Sequence, residues 1–215
     1  MKKATKQAIE IIKQAFIENY SDAVTELNYR NDYELLIAII LSAQCTDKRV
    51  NIITPALFEK YPSVKELAVA ELEDVKALLN TCSFFNNKSK NIIKMAQSVL
   101  TEYDGEIPHD QKKLMKLAGV GNKTANVFMI EFEQANLMAV DTHVFRVSHR
   151  LGLSDGKTVD ITEADLVKKL KGHDLHIFHQ AMVLFGRYIC KAVKPDCDKC
   201  YFPQVCKSKS GFKPA

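Results

Sequence analysis

The stretch LAGVGNKTANV occupies residues 117–127, and it decides how the chain around it folds. Gly119 and Gly121 flank one apolar residue, Val120, and glycines in this arrangement let the backbone turn tightly. The stretch therefore predicts a turn between two helices, over residues 110–117 and 123–132. A helix that begins after such a turn presents backbone N–H groups that can bind a phosphate. A lone GxG is also common as an ordinary helix end.

Lys123 follows the second glycine by two residues, in the first turn of the predicted helix. The positive end of the helix dipole disfavours a charged ammonium there and favours the neutral amine. A neutral amine is the form that a Schiff-base nucleophile requires. The alternative is a solvated lysine that contacts a phosphate, which is the commoner role for a lysine.

Helical patterns extend in both directions from this turn. Ile9, Ile12 and Phe16 have the spacing of an amphipathic N-terminal helix, and residues 32–42 are apolar nearly all round, as in a buried central helix. Further helices are predicted at residues 46–60, 87–103, 142–150 and 175–188, and capping boxes at residues 63–66 and 162–165 predict two more helix starts. Because no long stretch alternates with period two, the predicted fold class is all-α.

Charge is distributed unevenly along the 215 residues. The net charge is +4, but the segment from Arg187 onward has seven basic and two acidic side chains, so it carries +5 and the rest carries −1. A basic end on a neutral body indicates either a localised anion-binding surface or a solvated tail. No secretory signal or membrane span is visible, so we expect a cytoplasmic protein whose clustered cysteines bind metal.

Four of the six cysteines lie within 17 residues, with the spacing C-x6-C-x2-C-x5-C. They are Cys190, Cys197, Cys200 and Cys206. Four thiolates suit zinc or an iron–sulfur cluster. Structural zinc usually pairs two CxxC-like units that are far apart in sequence, so one short segment favours a bulkier 4Fe-4S cluster over zinc.

The loop between the first two of these cysteines contains Lys191 and Lys194. A loop that ligands hold at both ends would keep these lysines in fixed positions, which favours contact with phosphates. The other two cysteines, Cys45 and Cys82, are isolated in the sequence, and we expect ordinary buried thiols there.

The segment AVDTHVFRV, residues 139–147, places Asp141 directly before a predicted helix. As an N-cap, Asp141 would have a purely structural role, which is the commoner one for such a residue. A carboxylate in a cleft would instead stabilise a developing sugar cation or activate a neighbouring group.

Together with LLIAIILSAQCTD at residues 35–47, these motifs resemble the helix-hairpin-helix DNA glycosylases of endonuclease III type. The resemblance implies an all-α fold of two lobes with a cleft between them. A six-helix domain would span residues 26–134, and residues 1–25 plus 135–215 would form the iron–sulfur cluster domain. The implied partner is double-stranded DNA with a damaged pyrimidine, flipped out of the duplex, or an abasic site. We also expect the protein to be a monomer that associates with the nucleoid.

The same resemblance assigns the chemistry to two residues. Lys123 would attack the sugar C1′, expel the base and form a Schiff base, after which β-elimination would nick the strand 3′ to the lesion. Asp141 would assist deprotonation of Lys123 and offset the oxocarbenium-like charge. No catalytic metal is implied.

Further positions would contact DNA. Gln44 matches a residue that fills the gap left by the flipped nucleotide, although it could simply bond backbone at a helix end. Phe84 stands where many relatives carry a wedging leucine, and it could wedge into DNA or belong to the core. Thr142, His143 and Arg146 would contact the DNA backbone or shape the pocket.

The sequence departs from the family pattern at Ala118 and Asn122, where proline and arginine are frequent. One rival is the adenine-removing relative, which has a glutamate in place of Ala38 and usually a serine in place of Lys123. A second rival is a non-enzymatic DNA-binding or redox-sensing protein. The histidines at positions 173, 176 and 179 repeat every three residues, and surface or hydrogen-bonded histidines explain them better than a metal site.

Overall fold

The computed structural model describes residues 3–208, and this part of the chain contains eleven α-helices and no strand. The helices are α1 (Lys6–Tyr20), α2 (Asp32–Ser42), α3 (Asp47–Lys60), α4 (Val64–Ala68), α5 (Leu72–Leu79), α6 (Phe85–Glu102), α7 (Gln111–Leu114), α8 (Asn122–Glu133), α9 (Thr142–Arg150), α10 (Val159–Lys169) and α11 (Leu175–Tyr188). The predicted all-α class is confirmed. No helix of this described part is both long enough and apolar enough to cross a membrane.

Several helix boundaries match the sequence expectations, and two expectations are wrong. The helix predicted over residues 110–117 ends at Leu114, because Lys116 and Leu117 make turns to the carbonyls three residues earlier. The residues predicted for α2, α9 and α11 are those observed. The predicted capping box at residues 162–165 is wrong, because α10 already begins after Thr158, whose hydroxyl accepts from the Ile161 N–H. Thr162 lies one turn inside the helix and donates back to the Thr158 carbonyl at 2.9 Å. Thr158, and not Thr162 four residues later, is therefore the N-cap of α10.

The chain packs as two compact units. One unit is continuous and spans Thr25–Gln134. The other combines the residues up to Val24 with those from Ala135 onward. Each unit has its own hydrophobic core.

Helix α2 is the centre of the continuous unit. All nine residues from Tyr33 to Leu41 are buried, which is why this helix is apolar nearly all round. It packs against α3, α6 and α8. Burial of each Leu or Ile side chain contributes about 1.5–3 kcal/mol. Ile40 of α2 also lies beside Gly119, in the turn that precedes α8.

Aromatic side chains form the core of the discontinuous unit. Phe16 of α1 contacts Phe185 of α11 and Phe202 of the cysteine-rich segment, with ring centroids 5.7 and 4.9 Å away. Phe202 also lies 5.1 Å from Phe185. The N-terminal helix therefore belongs to this unit because it supplies one wall of the core on which the cysteine-rich segment rests.

Candidate active site and cysteine cluster

The two glycines of the turn between α7 and α8 have different roles. Gly119 has φ +81°, and a Cβ there would lie 3.1 Å from the Asn91 Cβ and 3.4 Å from Ile40 Cγ2. Gly121, the N-cap of α8, has φ −91°, and a Cβ there would meet nothing within 4 Å. The fold therefore requires a glycine at position 119 but not at position 121. Val120 is buried, and its N–H donates to the Leu117 carbonyl at 3.1 Å.

The start of α8 is arranged to receive an anion. No side chain caps its first turn, so its leading N–H groups are not satisfied in that way. The Gln111 amide donates to Asn122 Oδ1 at 3.0 Å and also to Asn126, which joins α7 to α8. Lys123 is the second residue of α8 and its side chain is exposed.

Asp141 is the N-cap of α9, in the discontinuous unit. Its Oδ1 accepts from the Val144 N–H at 2.7 Å, and the residue is half-buried. The capping bond is the structural role expected from the sequence. It fixes the carboxylate at the start of α9 in a defined orientation.

The three residues after Asp141 that were predicted to contact DNA differ in their surroundings. Thr142 is exposed, whereas the Arg146 guanidinium donates to the Cys190 carbonyl at 2.9 Å and the Gly186 carbonyl at 2.8 Å. Arg146 Nη2 also lies 3.1 Å from His143 Nδ1. Arg146 therefore joins α9 to α11 and orients His143, a role that shapes the site from within the protein.

The four clustered cysteines line one cavity, together with Arg150 and Asp196. Within residues 3–208, no three His, Cys, Asp or Glu side chains come close enough together to hold a single metal ion. Burial raises the pKa of the Cys200 thiol, and the nearby charges of the other three cysteines raise it further. The four sulfur atoms thus surround a shared space rather than a single point.

Arg150 is a residue of this site that the sequence reasoning missed. Its Nη1 donates to Cys190 Sγ at 3.3 Å and to the Lys191 carbonyl at 2.7 Å, and its Nη2 donates to the Ala192 carbonyl at 3.2 Å. The Arg150 carbonyl accepts from the Lys207 N–H at 2.8 Å. Its spacing of four from Arg146 places both arginines on one face of α9, and this was the available signal.

The two lysines of the loop between Cys190 and Cys197 are exposed to solvent. Lys191 and Lys194 are both exposed, and Lys194 has φ +48°. Arg150 holds the carbonyls of the loop, so the loop is ordered by protein contacts as well as by the cysteines at its ends. Two further lysines of the basic end, Lys209 and Lys213, lie outside the described residues.

Gln44 and Phe84 are the two remaining predicted DNA contacts, and both have left-handed backbone conformations. Their φ values are +55° and +59°. A residue other than glycine in this conformation carries about 1–3 kcal/mol of backbone strain. Both side chains are exposed, and Phe84 keeps 62% of its surface in solvent. The alternative that Phe84 belongs to the core is therefore wrong.

Two of the three histidines spaced by three, His173 and His179, have defined contacts. His179 is buried and its Nδ1 bonds the Ala139 carbonyl at 2.9 Å. His173 packs edge-on against Phe178. The prediction of a hydrogen-bonded histidine holds for His179, whereas the buried His176 Nδ1 has no hydrogen-bond partner among the described residues.

Comparisons with known proteins agree with this arrangement. Residues 37–171 match the HhH-GPD superfamily of base excision DNA repair proteins. Endonuclease III of Rickettsia conorii is 42% identical over 200 residues, covering 93% of this chain and 95% of the relative. Endonuclease III of Bacillus subtilis is 38% identical, covering 93% and 91%. A trapped endonuclease III–DNA covalent intermediate is similar in structure, with a TM-score of 0.91, 40% identity and coverage of 96% and 98%.

Proposed function

Because the chain belongs to the HhH-GPD superfamily of base excision DNA repair proteins, and within it to the endonuclease III family, we propose that Lys123 is its nucleophile. The protein is a DNA glycosylase and AP lyase that acts on DNA with damaged bases. The observation that carries the assignment of Lys123 is its position, exposed in the first turn of an uncapped helix. An amine there lies beside backbone N–H groups that can hold a DNA phosphate.

The reaction proceeds through a covalent intermediate. The neutral Lys123 amine attacks the sugar C1′, the N-glycosidic bond breaks, and the base leaves with a proton. The sugar ring then opens to a Schiff base, and loss of a C2′ proton expels the 3′ phosphate. Asp141 accepts the Lys123 proton and offsets the positive charge that develops on the sugar. Its capping bond to Val144 keeps the carboxylate oriented for this role.

DNA is positioned by backbone and side-chain contacts from the continuous unit. The N–H groups of Gly121 and Asn122 bind a phosphate without reading sequence. The turn at Gly119 and Val120, whose Val120 N–H donates to the Leu117 carbonyl at 3.1 Å, positions them. Gln44 fills the gap that the flipped nucleotide leaves, and Phe84 wedges into the base stack. The exposure and left-handed backbone of Gln44 and Phe84 support these roles, because strain of this kind persists where function requires it.

The clustered cysteines hold a 4Fe-4S cluster. Four thiolates around one cavity, with N–H donors from Arg150 to Cys190 and from Phe202 to Cys200, suit a cluster of several atoms. When bound, the cluster supplies structural cross-linking of the segment and takes no part in the steps above. It also fixes the exposed loop lysines, Lys191 and Lys194, for contact with phosphates. Thr142, His143 and Arg146 shape the neighbouring surface.

The substrate class is oxidised or saturated pyrimidines and abasic sites. Adenine removal is disfavoured because Ala38, a buried alanine, stands where that relative carries its catalytic glutamate, and because Lys123 is present. Asn122 replaces a frequent arginine, so one cation fewer faces the DNA. We propose a cytoplasmic, nucleoid-associated location because the substrate is DNA, and a monomer because one chain contains all the proposed site residues.

Single-lesion duplexes test this function. Wild-type protein should release thymine glycol, nick an abasic duplex, and become trapped on DNA when borohydride is added. Lys123→Ala should lose all three activities, while Lys116→Ala, which removes another exposed lysine of the same hairpin, should keep them. DNA binding without any trapped species would favour the non-enzymatic alternative and overturn the assignment.

A further inference from the structure

A buried lysine in the first turn of α6 has no role in the chemistry described so far. Lys88 is 6% exposed, and its Nζ donates to the Leu41 carbonyl at 2.7 Å and to Cys82 Sγ at 3.3 Å. Burying an ammonium is costly unless it is hydrogen-bonded or paired, and an apolar side chain of similar length is easier to bury. The two hydrogen bonds of Nζ therefore indicate what the lysine does in the fold.

The first partner of Lys88 lies at the end of α2. The last carbonyls of a helix have no acceptor role within the helix itself, so they need donors from elsewhere. The Leu41 carbonyl receives two such donors, the Lys88 ammonium and the buried Cys82 thiol, the latter at 3.6 Å. A cation at this end also faces the negative pole of the helix dipole. Lys88 thus caps α2 from another helix, three residues before the exposed and strained Gln44.

The same lysine is bonded to both sides of Phe84. The Lys88 backbone N–H donates to the Phe84 carbonyl at 3.1 Å. Cys82, the second partner of Nζ, precedes Phe84 by two residues, and its carbonyl accepts from the Phe85 N–H at 3.2 Å. Lys88 therefore joins the end of α2, which leads to Gln44, to the turn that presents Phe84.

We propose that Lys88 is a positioning residue for the opening of the DNA, which holds Gln44 and Phe84 at one fixed spacing. The proposal rests on the roles proposed above for Gln44 and Phe84. A gap-filling residue and a wedge must enter the duplex together, yet these two lie 40 residues apart in the chain. Both have left-handed backbones, and such strain persists only where the surroundings over-determine it. The bonds of Lys88 to both segments provide that constraint.

Loss of the Lys88 ammonium would release each segment from the other. A displacement of about 1 Å at a distance from the chemistry can cost about 100-fold in rate. We expect Lys88→Met to lose at least about tenfold in single-turnover release of thymine glycol from a duplex. Affinity for undamaged duplex should stay close to that of wild type, because exposed basic side chains and backbone N–H groups supply it.

Two control variants separate positioning from charge and from stability. Lys88→Met keeps the apolar stem and removes the N–H donors. Lys90→Met removes an exposed lysine of the same helix, and Ile92→Val removes one buried methylene group from it. The probe is a duplex with 2-aminopurine next to a reduced abasic site, whose fluorescence rises when the base loses its stacking. Wild type and both controls should raise the fluorescence at saturating protein, below the melting temperature of every variant. Lys88→Met should bind the probe, as measured by anisotropy, with little of this rise.

The outcomes are distinct. A full fluorescence rise with wild-type base release in Lys88→Met would overturn the proposal, and so would an equal loss in Ile92→Val, which would show an effect of stability. If Lys88→Met does not fold, Lys88→Gln replaces it, because its amide keeps a donor but is neutral and shorter; wild-type signals there would overturn the proposal in the same way. If wild type itself neither opens the probe nor releases base, the proposed function fails together with this inference. Wild type that does both while Lys88→Met matches it refutes the role of Lys88 alone.

Discussion

The two glycines of the helical turn allow fold and DNA binding to be perturbed separately. Gly119→Ala puts a methyl group into a left-handed backbone, at φ +81°, and within 3.1 Å of Asn91 Cβ. The conformational cost is about 1–3 kcal/mol, and the tight contact adds to it. Each kcal/mol lowers the melting temperature of a chain of this size by about 2–4 °C. We therefore expect Gly119→Ala to melt about 4–10 °C lower than wild type.

Gly121→Ala is the matched control, one residue beyond the buried Val120. Its φ is −91° and a Cβ there would meet nothing within 4 Å, so the fold should tolerate alanine with a melting temperature close to that of wild type. The added methyl group would stand among the N–H groups proposed to hold a phosphate. Loss of one hydrogen bond to a charged group costs about 1.5–3 kcal/mol of binding free energy. The dissociation constant for DNA should therefore rise about tenfold or more.

The assays are differential scanning fluorimetry for stability and fluorescence anisotropy with a duplex that contains a reduced abasic site. We expect the two variants to differ: Gly119→Ala should be less stable than wild type, and Gly121→Ala should be as stable as wild type but bind DNA weakly. Equal losses of stability in both variants would refute the distinction between the glycines. Normal DNA affinity in Gly121→Ala would refute the phosphate site at the start of α8.

Three other perturbations give separable outcomes. Phe84→Gly should relieve the left-handed strain, stabilise the fold by about 1 kcal/mol, and slow single-turnover base release, whereas faster release would exclude the wedge. Arg150→Met should lower the iron and sulfide content per protein, measured chemically, because the loop from Cys190 loses its donors; full occupancy would contradict this role. Burial raises the pKa of Glu131 to about 7, above its unfolded value, so the folded state binds the proton more tightly and unfolding free energy should fall as pH rises from about 5 to 8. Glu131→Gln should flatten that pH dependence in denaturant titrations, and an unchanged slope would show that Glu131 is not its source.

The fold was largely predictable because helix signals in this chain are local. The buried run from Tyr33 to Leu41 and the N-cap at Asp141 could be read from neighbouring residues alone. The start of α10 was placed wrongly because Thr158 and Thr162 both fit a capping pattern, and only the folded chain decides between them.

The site was predictable where a motif is continuous and not where it is built from distant segments. Lys123 and the clustered cysteines lie in short motifs, so their positions, at the start of a helix and around one cavity, could be predicted from the sequence, while their roles stay predictions. The Arg150 bonds to the cysteine loop depend on packing between segments about 40 residues apart. Such contacts cannot be predicted from the spacing of residues in the sequence.

The most direct test of Lys123 as nucleophile is to identify the residue that borohydride attaches to abasic DNA. The trapped complex should be digested with trypsin and nuclease, and the sugar remnant should be located by tandem mass spectrometry. The expected result is one adduct, on the Lys123 side chain, with cleavage by trypsin blocked after that residue. An adduct on the N-terminal amine, or on Lys191 or Lys194, in place of Lys123 would contradict the proposed mechanism.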